Sequence, residues 1–298
     1  MHRARLTRRS VWPAAWALLL AAGTEAAAQA VKPLEMPAGE LVRLVVANEV
    51  AAANNTVPKH MCRSRKTTPK GSQTRLYVQT NDAMAGMLIA NNDEPLTPQQ
   101  QQGELNHLQW LMGNPDQLRK KQAQEKKDAD QSLRIVKALP DAFRYEYAPK
   151  EQSAAGSRAE ANLVRLDFTP NPAYSPPSHV EQVLAGMQGF LLIDREHKRI
   201  AQIDGTLFKD VAFLWGILGH LDKGGHFLVR QAELGDGSWD ITEMSLNFTG
   251  KILFFKSLTI LSDEVLSDYR RVPDNLTFAQ GVEMLKAEET LAHDGGRP

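Results

Sequence analysis

Cysteine is almost absent from this sequence, since Cys62 is the only one among 298 residues. A lone cysteine excludes an internal disulfide, so an apolar core has to hold the fold together. The chain length and the 42% of hydrophobic residues make such a core feasible, as one large domain or two small ones. Because no second cysteine could resolve an oxidised thiol, we interpret Cys62 as an inert strand residue rather than a redox centre.

An excess of positive charge is also missing. The sequence has 35 Lys+Arg and 35 Asp+Glu, so its formal net charge is zero. Removal of residues 1–30 would take away four basic residues and only one acidic residue, which leaves a net charge of −3. A broad nucleic-acid surface needs clustered positive charge, and we therefore expect no nucleic-acid partner.

The motifs of common hydrolases and metal sites are missing as well, with no His-Glu-x-x-His and no Gly-x-Ser-x-Gly. The glycine-rich stretch 219–225 is not a phosphate loop, because Lys223 precedes two glycines instead of a Ser or Thr that opens a helix. His220 and His226 have no third ligand nearby, so we expect no metal and no cofactor. We predict a non-enzymatic protein, and a hydrolase with dispersed catalytic residues stays open as an alternative.

The N-terminus has the pattern of a secretory signal peptide. Four arginines lie within the first nine residues, and the apolar stretch 12–23 follows them. This stretch is shorter than the roughly 20 residues that span a bilayer, and Ala28, Gln29 and Ala30 form a small-x-small cleavage site. We expect cleavage near Ala30 and a protein of the Gram-negative periplasm, without a transmembrane anchor after cleavage.

Apolar spacing divides the rest of the chain into helices and strands. Strands of eight to twelve residues joined by tight turns, such as the one at Asp236 and Gly237, predict an antiparallel meander. Long strands with glycines at their corners coil, so the sheet should be strongly curved. Gly250 is predicted to separate two of its strands. The predicted elements are a helix over 41–53, a hairpin over 61–80, strands over 85–91, 189–194, 199–207, 225–234, 238–249, 252–261 and 265–272, and a C-terminal helix over 277–291.

A helical insertion is predicted over 97–139. Thr97 and Pro98 are typical of a helix start, because a hydroxyl at the N-cap precedes proline at the first helical position. The second helix of the insertion begins at Asp116, ends at Ala138 and is highly charged. Such a helix either presents to an envelope protein partner or is a solvated face with mixed-sign pairs, and we favour the solvated face.

Large apolar residues recur at alternating positions of the meander and form an apolar face. The predicted helices are few and short for covering a sheet of this size. They either pack down on an ordinary core or leave a groove that a lipid chain or an apolar peptide enters. The candidates for the wall of such a cavity are Phe190, Leu192, Phe213, Trp215, Phe227, Val229, Trp239, Leu246, Phe248, Leu253 and Phe255.

The order of elements resembles that of the outer-membrane lipoprotein carrier family, LolA and LolB, and its relative RseB. The shared outline is a leader, a helix, long antiparallel strands, a helical insertion and further strands, over most of residues 40–272. The stretch GILGHLDKGGHFLV, 216–229, is also similar to one in exported bacterial proteins. This chain departs from the family in its longer charged insertion and in a proline-rich crossing over 170–177.

The resemblance implies an α+β fold in which a strongly curved antiparallel sheet forms an incomplete barrel. Helices would cover its concave face and enclose an apolar cavity that takes acyl chains. The predicted organisation is a signal peptide over 1–30, this half-barrel domain over 31–276, and a C-terminal helix with a polar tail over 277–298. The predicted function is a periplasmic carrier or sensor for a lipid or an acylated protein. A cell-envelope scaffold without a small ligand is the alternative.

Overall fold

The computed structural model describes residues 36–55, 58–149, 162–213, 219–252 and 256–294. Within them the chain is an α+β protein with one large antiparallel sheet, which confirms this part of the predicted fold. The elements in chain order are α1 (Ala38–Asn54), β1 (Lys59–Thr68), β2 (Gly71–Val78), β3 (Ala85–Asn91), β4 (Glu94–Pro95), α2 (Pro98–Gly113), α3 (Pro115–Ala142), β5 (Phe143–Tyr147), β6 (Leu163–Pro170), α4 (His179–Gln182), a 3₁₀ helix (Val183–Gly186), β7 (Met187–Asp194), β8 (Arg199–Leu207), β9 (Val211–Phe213), β10 (Gly219–Leu221), β11 (His226–Glu233), β12 (Trp239–Ile252), β13 (Lys256–Val272) and α5 (Phe278–Asp294).

The sheet has 13 strands in the described ranges, and its main path runs in the order β4-β3-β2-β1-β13-β12-β11-β8-β7-β6-β5. The strands β9 and β10 form a side branch, because β10 pairs with the far end of β12, where Gly219 lies opposite Ile252. The strands β1 and β13 pair with each other although they lie near opposite ends of the chain. In the part of the chain that the structure describes, β4 and β5 are the ends of the path, and the sheet does not close.

Local chemistry sets the start of the helical insertion. The Thr97 side chain accepts the Gln100 N–H, and the Gln100 side chain accepts the Thr97 N–H, which together form a capping box. The helix α3 begins at Pro115 and has 28 residues, with Pro140 in its last turn, where the proline removes one backbone hydrogen bond. The two helices α2 and α3 occupy the predicted insertion. None of the helices in the described ranges is long and apolar enough to cross a membrane.

Buried apolar side chains form two clusters. The first core joins α1, the C-terminal end of α3 and the strands β5 to β8, and the second core joins β1, β2 and β3 with α2 and α5. The helix α5 begins with a capping box of its own, formed by Thr277 and Gln280, and packs against β2 and β3. The described residues from Met36 onward belong to one compact unit. The predicted cleavage site near Ala30 lies outside them.

The last two strands differ from the prediction. Gly250 does not separate two strands but lies inside β12, which continues to Ile252. A Cβ atom at this position would come within 2.1 Å of the His220 carbonyl oxygen, so glycine lets β10 approach β12. From Lys256 onward the predicted strands 252–261 and 265–272 form one strand, β13, and a bulge in its pairing with β1 includes Asp268 at a φ of 54°.

Candidate functional site

An apolar cavity of about 460 Å³ lies between the C-terminal half of α3 and the sheet. Its volume is within the range of small-molecule sites, about 300–1,000 Å³. Among the described residues that line it, only Glu49, Ser132 and Gln231 are polar. The apolar lining residues are Ile135, Val136, Leu139, Phe143, Phe168, Leu184, Met187, Ile200, Ile203, Phe227, Val229, Ile241, Met244 and Leu246.

Strand register points the sheet residues into this cavity. In the ladder between β11 and β12, Phe227 lies opposite Leu246 and Val229 lies opposite Met244. Side chains alternate between the two faces of a strand, so these two pairs share one face and line the cavity together. The ladder shifts by one residue after Arg230, and this bulge brings Gln231 and Ile241 to the same wall.

The helix α3 supplies the wall that faces the sheet. Its charged first half gives way to Ser132, Ile135, Val136 and Leu139, which recur at helical spacing and therefore lie on one side of the helix. Leu139 is buried in the first core, where α1 packs beside α3. The insertion thus contributes apolar surface to the cavity through its last three turns.

A hydrogen-bonded ion pair closes one side of the cavity. The Glu49 carboxylate of α1 accepts two bonds from Arg199, at 2.9 and 2.8 Å, and one from the Ile200 N–H at 2.8 Å. The Gln231 amide donates to the same carboxylate at 3.0 Å. The Arg199 guanidinium lies 5.4 Å from the centre of the Trp239 ring, within the range of a cation–π contact. Charge at this wall is therefore paired and hydrogen-bonded rather than open to a ligand.

The predicted wall residues separate into three groups. Phe227, Val229 and Leu246 line the cavity, and Phe248 is buried in the adjoining first core. Phe190, Leu192 and Trp239 are half-buried but are not among the described residues that line it. Phe190 and Leu192 alternate along β7 with Leu191 and Ile193, which face the core. The Arg165 guanidinium lies 4.0 Å from the centre of the Phe190 ring. Trp215, Leu253 and Phe255 lie outside the described residues, and of Phe213 only the backbone, paired with Gly219, is described.

A second, polar cavity of about 350 Å³ lies under the first half of α3. Cys62 of β1 and Tyr77 of β2 form a cross-strand pair that points into it, whereas the neighbouring pair, Met61 and Val78, faces the second core. The remaining lining residues are His60, Gln79, Met84, Lys121, Glu125, Asp240, Glu264, Leu266 and Tyr269. No sequence pattern indicates this cavity, because its walls come from four separate strands and a helix.

Burial governs the protonation of the groups in the polar cavity. It raises the pKa of the Cys62 thiol to about 12, with the nearby Asp240 carboxylate as the next cause. A thiol with this pKa is protonated at neutral pH and is a poor nucleophile. Burial also raises the pKa of Asp240 above its ordinary value. The pKa of Tyr269 is raised by burial and, as the next cause, by the nearby Asp240 carboxylate.

The turn between β11 and β12 docks on β1 through Asp236. Its carboxylate accepts the Ser238 hydroxyl and the Ser238 N–H, the latter at 3.0 Å, and lies 3.0 Å from Nε2 of the buried His60. The Ser238 hydroxyl, the Ser238 backbone N–H and then His60 lower the pKa of Asp236 from 3.8 to about 2.

We expect this contact to make stability depend on pH. A carboxyl group whose pKa is lower in the folded state stabilises the fold above its unfolded pKa and loses this contribution as the pH falls toward its folded pKa. The wild type should therefore be more stable than Asp236→Asn at neutral pH, and the difference should shrink between pH 3.8 and about 2. Urea unfolding midpoints at both ends of this range measure the difference. Asp128→Asn, on an exposed face of α3, is the control, and an unchanging difference for Asp236→Asn would contradict the assignment.

No cluster of three or more His, Cys, Asp and Glu residues suited to a metal ion occurs in the described ranges. The described residues form an apolar cavity and a polar one beside it. No model of a protein family matches the sequence, and no curated protein matches it.

Proposed function

We propose that this protein is a non-enzymatic carrier or sensor that binds the acyl chain of a lipid or of a lipoprotein. The observation that carries the proposal is the apolar cavity of about 460 Å³, in which all but three of the described lining residues are apolar. A hydrocarbon chain gains about 0.8 kcal/mol for each methylene group that leaves water, so such a wall favours a chain over a polar metabolite. The half-buried Cys62 thiol has a raised pKa, so it is not an activated nucleophile beside this cavity.

We propose further that the sheet is strongly curved and forms an incomplete barrel, with α1 and α3 on its concave face. Three observations support this geometry. The first core unites α1 and the end of α3 with β5 to β8, and the apolar cavity has walls from α3 as well as from β8, β11 and β12. Strands as long as β12 and β13, with 14 and 17 residues, accumulate the twist that coils a sheet.

The proposed location is the periplasm, after removal of the leader that ends near Ala30. A carrier there would take its cargo from a membrane or from an acylated protein. The alternative, a scaffold whose charged helix between Asp116 and Ala138 holds a protein partner, has less support. Several charges of that helix pair with each other one turn apart, as Arg119 does with Asp116 and Lys126 with Asp130, which is typical of a solvated helix face.

Lipid should be recovered with the protein. We expect native mass spectrometry of the chain purified from a bacterial periplasm to show a bound lipid, and the delipidated protein to take up a fluorescent fatty acid with a Kd in the micromolar range. Deletion of residues 116–131 of α3 tests the scaffold alternative, which predicts that the protein keeps its fold and loses a protein partner in a pull-down. A protein that carries no lipid and takes up no fluorescent chain would end the carrier proposal.

A further inference from the structure

The polar cavity adjoins the apolar one. Met244, which lines the apolar cavity, is the cross-strand partner of Glu264, which lines the polar cavity. The Tyr269 hydroxyl of the polar cavity donates at 2.5 Å to the carbonyl oxygen of Ile241, whose side chain lines the apolar one. The helix α3 passes over both, so a single elongated ligand could lie along it with one end in each cavity.

Two of the three carboxylates that line the polar cavity are paired with a lysine. Glu264 accepts Ser64 at 2.6 Å and Lys66 at 3.2 Å, and the Glu125 carboxylate accepts Lys121 at 2.6 Å. The third carboxylate, that of Asp240, has a different set of hydrogen-bond donors.

The donors to Asp240 are the Gln79 amide at 3.3 Å and the Ile241 N–H at 2.8 Å. Within the described residues no Lys or Arg forms an ion pair with it, and burial raises its pKa. Asp240 is half-buried, and the nearby basic group that favours its charged form is the imidazole of His60, which is itself hydrogen-bonded to Asp236. A carboxylate withdrawn from water without a Lys or Arg beside it is costly to keep ionised. A cationic ligand would remove that cost.

The walls beside Asp240 suit a cation of a particular kind. The side chains of His60, Tyr77 and Tyr269 line the cavity, and aromatic rings attract ammonium groups through their faces. A phosphate or carboxylate would meet Asp240, Glu264 and Glu125, while both lysines of the region are already paired. The cavity therefore selects against anions.

We propose that the polar cavity binds a primary ammonium group, with Asp240 as its counter-ion and Tyr77 and Tyr269 as its walls. Together with the adjoining apolar cavity, this makes the ligand an amphiphile that has an amino head group and an alkyl or acyl chain. The amphiphile rests on the proposed function, whereas the ammonium site stands on the polar cavity by itself.

Four probes test the proposal by isothermal titration: decylammonium, decanoate and decanol, which share one chain length, and butylammonium, which is too short to need the apolar cavity. The wild type should bind decylammonium at least about tenfold more tightly than decanoate or decanol, since truncating one partner of a buried charge pair usually costs more than this. Asp240→Asn should lose that preference and keep its affinity for decanol. Glu243→Gln, on the same strand, should change neither, because Glu243 pairs with Arg230 at the surface.

The outcomes separate the two proposals. If the three decyl compounds bind the wild type equally well, the ammonium site is wrong and the carrier proposal stands. If no decyl compound binds, the carrier proposal is wrong, and butylammonium then tests the ammonium site alone. Butylammonium binding that Asp240→Asn abolishes would support the ammonium site. No butylammonium binding would overturn it. The comparison of probes on the wild type needs no variant, so misfolding of Asp240→Asn would not obscure the result.

Discussion

Replacing Val229 by tryptophan should abolish the uptake of an acyl chain while the protein stays folded. The Val229 side chain lines the apolar cavity from β11, opposite Met244 and facing the cavity wall formed by α3. An indole in its place would fill the space that roughly four methylene groups of a chain occupy, which at about 0.8 kcal/mol each corresponds to about a two-hundredfold loss of affinity. Because the ring enters existing space, the strain of an overfilled core should be small. A fluorescent fatty acid titration measures the affinity, and thermal unfolding monitors the fold.

Val265→Trp is the matched control for this substitution. Val265 lies on β13 with 52% of its surface exposed and is the cross-strand partner of Glu243, so it points away from the face that Met244 and Glu264 share. The control should bind the chain like the wild type. If Val229→Trp binds as tightly as Val265→Trp, the chain does not occupy the cavity, and the proposed function loses the observation that carries it.

Much of the fold could be predicted because its signals are local. The strand β3 has the predicted bounds, 85–91, and α2 begins where Thr97 and Pro98 place it. Pairing across the chain is different. The approach of β10 that requires Gly250, and the pairing of 263–265 with both β1 and β12, depend on partners distant in sequence. Local patterns therefore wrongly predict a strand end at Gly250 and a break between 261 and 265.

The candidate site was harder to predict than the fold. In β7 the run from Phe190 to Ile193 is apolar on both faces of the strand, so alternation cannot tell which pair faces the core; Leu191 and Ile193 do. Ile135 and Val136 line the cavity from α3, but the highly charged first half of this helix favours the prediction that the entire helix is solvated. The polar cavity joins residues of β1 to residues of β12 and β13, and nothing in a single sequence indicates that these strands meet.

Removing the Glu49 carboxylate should strongly destabilise the fold. Glu49 and Arg199 are only 12% and 15% exposed, and the pair ties α1 to β8 at the wall of the apolar cavity. Glu49→Ala would leave the Arg199 guanidinium, the Ile200 N–H and the Gln231 amide without their shared acceptor. Breaking a buried ion pair by removing one partner costs about 3–5 kcal/mol, and this should appear as a lower urea unfolding midpoint.

The surface pair of Arg230 and Glu243 is the control for that substitution, because its side chains are 49% and 36% exposed. Loss of an exposed ion pair costs about 0–1 kcal/mol, so Glu243→Ala should leave the midpoint nearly unchanged. Equal losses for the two variants would mean that water reaches Glu49 and that α1 does not close this side of the cavity. A large loss for Glu49→Ala, with chain uptake retained in the remaining folded protein, would instead show that the ion pair holds the helix in place without contributing to the affinity for the chain.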